Sequence, residues 1–201
     1  MFPLGAVLFP GLMMPLHVFE PRYRALVDVC LAADPPELGV VLIERGSEVG
    51  GADVRTHVGT VARIAEAARF DDGRWALAAV GVRRLRVQRW LDDDPFPRAE
   101  VHDWPDPEPV ATLDDDYTEV AALLRRSLAL KAELGEEAAP ATVTLIADPV
   151  VGSYHAAALA PVGPADQQRL LEAPDATTRL SLLRSLLSEE TEWLSRRLAL
   201  G

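Results

Sequence analysis

Apolar positions in the first half of the chain come as short runs and alternations, whereas in the second half they recur with a period of about 3.6. Residues 4–9 are apolar and end at Pro10-Gly11, a turn pair that predicts the close of a first strand. Residues 12–19 read as a crossing segment. Glu20-Pro21 then opens a helix, because proline at the first helical position forfeits no hydrogen bond. Tyr23, Leu26, Val27, Cys30 and Leu31 follow at helical spacing and predict one buried face, and Asp34-Pro35-Pro36 stops the helix. Residues 38–43 are nearly all apolar and β-branched, as in a strand buried on both faces. Residues 46–51 predict a loop. Residues 58–70 and 74–90 flank Asp71-Asp72-Gly73 and predict a hairpin. Its alternation slips near Gly81 and Arg84, which predicts a bulge. Residues 96–104 form a last strand after the polar turn at 92–95. Five or six strands with one early helix predict a small, partly closed barrel.

Residues 105–116 are rich in proline and acid and mark a join. Beyond it, Val120, Leu123, Leu124 and Leu128 define a helix that carries Asp114, Asp115 and Asp116 at its positive end. A second helix follows Asp148-Pro149 and a short third one follows Pro164. Asp175 caps a long last helix, on which Leu180, Leu183, Leu186, Leu187, Trp193, Leu194 and Leu198 predict one apolar face. The expected fold class is α+β, with a barrel over residues 1–108 and a helical bundle over residues 109–201.

Composition narrows the chemistry. Of 201 residues, 49% are hydrophobic and 25% charged, the balance of an ordinary globular chain. No apolar run approaches the roughly 20 residues of a membrane span, and the N-terminus shows no signal-peptide pattern. With Cys30 as the only cysteine, a cytoplasmic location is expected. The net charge of −11 argues against non-specific nucleic-acid binding. His17, His57, His102 and His155 have no ligand spacing, so no metal is expected. No phosphate-cradling glycine loop is present, and no cofactor is implied. Gly152-Ser153-Tyr154-His155 is not a nucleophile elbow. Ser153 and His155 read as helix surface or edge, and Lys131 as part of a polar helix face. Arg83, Arg84 and Arg86 form the one basic cluster. They read either as an anion or RNA contact or as an exposed strand face answering the acid elsewhere, and no aromatic platform accompanies them.

FPLGAVLFPGLMMPLHVFEPRYRALV at the start resembles the opening of the substrate-binding (N-terminal) domain of Lon proteases. So do VGTVARI at 58–64, DGRWALAAVGVRRLRV at 72–87 and DQQRLLEAPDATTRLSLLRSLLSEE at 166–190. The resemblance covers nearly the whole chain and implies a PUA-like β-barrel followed by a helical bundle. It further implies a stand-alone form without the ATPase and Ser–Lys protease domains of full Lon enzymes, and so a protein that is not an enzyme. Family members usually carry a few more residues before the FPLG segment. Here Met1 stands directly before Phe2-Pro3-Leu4, so either the first strand is shortened or the true start lies upstream.

By this resemblance the expected function is a non-catalytic protein-binding module for exposed apolar segments. Its partners would be unfolded or damaged polypeptides, or a separate protease or adaptor, and not nucleic acid or membrane. Leu12, Met13, Met14 and Leu16 are the candidate binding residues. Methionine is unbranched and polarizable and suits an adaptable apolar surface, although the same four residues equally tuck under a barrel as core. The alternatives are an oligomerisation or adaptor protein built on the leucine-rich last helix, or a small-ligand or RNA site on the barrel. A monomer or weak homodimer is expected.

Overall fold

The structure, a computed structural model, describes residues 1–46, 48 and 53–200, so most of the loop expected at 46–51 lies outside the described residues. The chain divides into two compact units, Met1–Pro105 and Asp106–Gly201. One sheet in the first unit and helices in the second make the fold α+β, the expected class.

The first unit is a six-stranded mixed sheet with one helix. Its elements are β1 (Phe2–Leu4), β2 (Met13–Val18), α1 (Pro21–Leu31), β3 (Glu37–Arg45), β4 (Val54–Arg69), β5 (Trp75–Leu91) and β6 (Arg98–Asp103). The strand order is β1-β3-β4-β5-β2, with β6 also paired to β5. Among the described residues, β1 and β3 run parallel and the other strand pairs antiparallel. Gly73, at φ 82°, supplies the left-handed turn residue between β4 and β5.

Two readings of strands are corrected. The first strand is Phe2–Leu4 and not residues 4–9; the chain leaves the sheet at Gly5. Leu8 and Phe9 remain buried, and the Leu8 carbonyl accepts the Thr60 hydroxyl at 2.5 Å. The crossing segment is itself a strand, β2, and Pro15 is tolerated there because β2 ends the sheet. The expected bulge is present: on β5, Val82 is the extra residue between Gly81 and Arg83, which pair with Ala62 and Val61. A Cβ at Gly81 would collide with the Phe9 carbonyl oxygen, so glycine is needed where the Pro10-Gly11 turn crosses β5.

The main core joins β1, β2, α1, β3, β4 and β5 through residues such as Phe2, Leu16, Tyr23, Val27, Val40, Ile64 and Leu77. Val41, Val61, Leu85 and Val87 form a second cluster. Consecutive strand residues point to opposite faces, so Val40 and Val41 confirm that β3 is covered on both. Leu31, expected on the buried face of α1, is exposed, because that face ends with Cys30 at the last full turn.

The second unit holds α2 (Asp114–Glu133), α3 (Pro149–Leu159), α4 (Pro164–Leu171) and α5 (Ala176–Leu200). Asp148 caps α3 through the Val151 N–H at 2.8 Å, and Asp175 caps α5 through the Thr178 N–H at 2.7 Å. Leu180, Leu183, Leu187 and Leu194 fill the core of this unit. Trp193 and Leu198, expected with them, are exposed. The Trp193 ring instead supports the Arg197 guanidinium 4.5 Å from its centroid.

Candidate functional site

The first unit carries an apolar groove of about 400 Å³. Phe2, Pro3, Leu4 and Ala6 line one side; Met14, Pro15, Leu16, His17 and Val18 of β2, then Phe19 and Glu20, line the other; Tyr23 and Glu48 complete it. No lining residue belongs to β3 or β5, the partners of β1 and β2, so the groove runs along the unpaired edges of the two end strands. Both ends of the sheet border one groove, which makes the sheet an incompletely closed barrel. Phe2, Leu4, Leu16, Val18 and Tyr23 are buried and form the floor, whereas Phe19 is 54% exposed on the wall.

The floor is rigid. Phe2 and Tyr23 stack with ring centroids 4.5 Å apart, and the Arg22 guanidinium lies 4.4 Å from the Tyr23 centroid. Burial pushes the Tyr23 phenol up to about 12. Arg22 also pairs with Glu20 at 3.1 Å, and Glu48 accepts the Gly5 N–H. The lining contains two carboxylates and neither lysine nor arginine.

Of the residues singled out from the sequence, Met14 and Leu16 line the groove, Leu12 is half-buried against the main core, and Met13 is 68% exposed outside the lining. The two methionines face opposite ways because successive strand residues alternate. Phe2 and Phe19 carry no signal in the sequence, and Tyr23 reads there only as part of the buried helix face. Their shared position depends on β1, β2 and α1 meeting, which no local pattern encodes.

The arginine cluster differs from the expected exposed strand face. Arg83 bonds Glu37 at 2.8 Å and Asp103 at 2.9 Å. Burial pushes the Glu37 carboxyl up, but hydrogen bonds from Arg83 and Arg63 outweigh it and hold the group below its usual range. Arg84 is buried. An aromatic ring does lie beside the cluster, but the arginines themselves occupy it: the Trp104 ring has Arg84 at 4.1 Å and Arg86 at 3.9 Å from its centroid. The cause is a pairing beyond β6, in which the Trp104 N–H donates to the Arg84 carbonyl at 3.0 Å.

Ser153 is not helix surface. It is fully buried, donates to the Val150 carbonyl at 2.6 Å and accepts from Arg179 Nη1 at 2.9 Å, so its proton is held by a backbone carbonyl and not by a base. Cys30 is buried, and burial pushes its thiol up, away from the reactive thiolate. Among the described residues, no group of three or more His, Cys, Asp or Glu side chains is arranged to hold a metal ion. No helix among them is long and apolar enough to cross a membrane.

The family model of the ATP-dependent protease La (LON) substrate-binding domain matches residues 1–189. The Lon protease of Trichlorobacter lovleyi is 28% identical over 192 residues, and that of Anaeromyxobacter dehalogenans 30% over 197. Each alignment takes in 94% of this chain and 23% of the relative, so the chain spans under a quarter of these relatives' length. Among solved structures, the Lon N-terminal domain protein from Xanthomonas campestris is 30% identical with a TM-score of 0.68, covering 92% of this chain and 95% of that one. The N-terminal domain of the Mycobacterium avium complex Lon protease, 21% identical with a TM-score of 0.60 and covering 92% and 96%, shares the fold. The chain thus belongs to the Lon substrate-binding domain family.

Proposed function

We propose that this chain is a non-catalytic polypeptide-binding module that holds exposed apolar segments of other proteins in the groove between β1 and β2. The groove itself carries the reading: an apolar floor open to solvent, walled by Met14, Pro15 and Phe19. An unbranched methionine and an exposed aromatic ring adapt to many side chains, as a sequence-tolerant binder requires. Met13 stands outside the lining and extends the contact along the exposed face of β2, while Leu16 forms part of the floor and Leu12 supports it from the core side. The burial of Leu180, Leu183, Leu187 and Leu194 within the second unit supports a core role for α5 over a dimer seam. The pairing of Arg83 with Glu37 and Asp103 lends no support to an anion site.

The test is a titration of the full chain with a reduced, carboxymethylated protein that cannot refold, set against the same protein in its native state. The reading expects saturable binding to the unfolded form alone. Equal binding to both forms, or to neither, sinks it.

A further inference from the structure

We infer that the occupant of the groove is an extended, basic-flanked apolar segment that adds to the sheet as a strand along the free edge of β2. This rests on the reading of the groove as a polypeptide site and says how the segment is held.

The backbone of β2 points to this mode. In an antiparallel pair, alternate residues turn their N–H and C=O toward the partner strand and away from it. The Leu12 carbonyl accepts from Gly81 of β5 at 2.9 Å, which sets the phase: Met14, Leu16 and Val18 face β5. Pro15, opposite Ala78, has no N–H to give and falls in the other phase. The outward groups are therefore those of Met13, Pro15 and His17: Pro15 and His17 put one N–H donor and two carbonyls on the groove wall, and Met13, just outside the lining, adds one of each. No hydrogen bond among the described residues uses them. β1, three residues long, offers a shorter edge across the gap. Following the sheet pairings, β1 and β2 run antiparallel to each other. A segment antiparallel to β2 runs parallel to β1, repeating the β1–β3 arrangement on the other side of β1. Its alternate side chains would enter the floor of Phe2, Leu16 and Tyr23.

Charge selects the flanks. The lining carries Glu20 and Glu48 and no lysine or arginine; Arg22, outside the lining, pairs with the Glu20 carboxylate at 3.1 Å and donates to the Glu48 backbone carbonyl at 3.3 Å, and no ion pair among the described residues engages the Glu48 carboxylate. An apolar segment with lysine at its ends complements this rim, and one ending in glutamate is repelled.

The test uses the full chain and a labelled peptide, Lys-Val-Thr-Val-Thr-Val-Lys, followed by fluorescence anisotropy. Two N-methylated versions, one blocked at every valine and one at every threonine, keep all side chains but remove the donors of one edge each. One-sided strand addition predicts that one version binds at least about tenfold more weakly while the other stays within about threefold of the parent. The His17 amide should also become protected from hydrogen exchange. A Glu-flanked peptide should bind more weakly than the parent, with the difference shrinking at high salt. Equal retention or equal loss in the two methylated versions overturns strand addition. If the parent peptide fails while a carboxymethylated unfolded protein still binds, the strand mode falls and the polypeptide site stands. If neither binds, both fall.

Discussion

Phe2 of β1 stacks on Tyr23 of α1 with ring centroids 4.5 Å apart and planes inclined at 29°, and both side chains are buried. This contact ties the end strand of the sheet to the helix and forms the groove floor. Tyr23→Ala should destabilise the first unit by about 3–5 kcal/mol, whereas Tyr23→Phe keeps the ring and should cost under about 1.5 kcal/mol. Urea unfolding followed by tryptophan fluorescence checks both. The phenol also predicts an alkaline effect. Its folded value of about 12 lies above the ordinary tyrosine value of 10.0, so its contribution is complete below 10 and is lost as pH rises through 12. Tyr23→Phe should remove that part of the alkaline loss.

In the second unit, Arg179 is fully buried and donates through Nη2 to both Asp106 oxygens at 2.8 and 3.0 Å. It also reaches the Tyr154 hydroxyl at 2.9 Å, Ser153 Oγ at 2.9 Å and the Leu170 carbonyl at 3.2 Å. Arg179→Met leaves the Asp106 carboxylate buried beside an apolar chain and should cost about 3–5 kcal/mol. Arg179→Lys should recover only part of that, because an ammonium does not reproduce the fork. Chemical denaturation monitored by circular dichroism measures the order wild type, Lys, Met.

Glu37 bonds Arg63 at 2.9 Å and Arg83 at 2.8 Å, and these bonds overcome burial to hold its carboxyl below the ordinary glutamate value of 4.5. A depressed carboxyl stabilises the fold above pH 4.5, and that contribution disappears as pH falls through the folded value. Glu37→Gln should flatten this acid limb while changing stability at neutral pH by no more than about 1 kcal/mol, since both arginines are well exposed. Melting temperatures between neutral pH and pH 3 report it.

Pro15 interrupts the donors on the free edge of β2. Pro15→Val restores one N–H there and should promote pairing of two copies edge to edge. Light scattering over a concentration series should show more dimer than in wild type.

Much of this fold was legible from period alone. The β4–β5 hairpin, its bulge at Val82, the Pro21 helix start and the Asp175 cap each depend on neighbouring residues, so local patterns reveal them. The groove was legible only in part. Met13 and Met14 announced an apolar surface, but Pro15 hid the strand that sends them to opposite faces. Phe19 and Tyr23 gained their roles from the meeting of β1, β2 and α1, a contact between distant segments. The burial of Ser153 and Arg84 was equally invisible, because in each case a long-range partner, Arg179 or Trp104, makes a polar side chain acceptable inside.

The groove is tested most directly by Phe19→Asp, which places a charge on an exposed wall residue and spares the core. Binding of the full-length variant to a carboxymethylated unfolded protein should weaken at least about tenfold, with a melting temperature within about 2 °C of wild type. Unchanged affinity at unchanged stability would contradict the assignment of polypeptide binding to this groove.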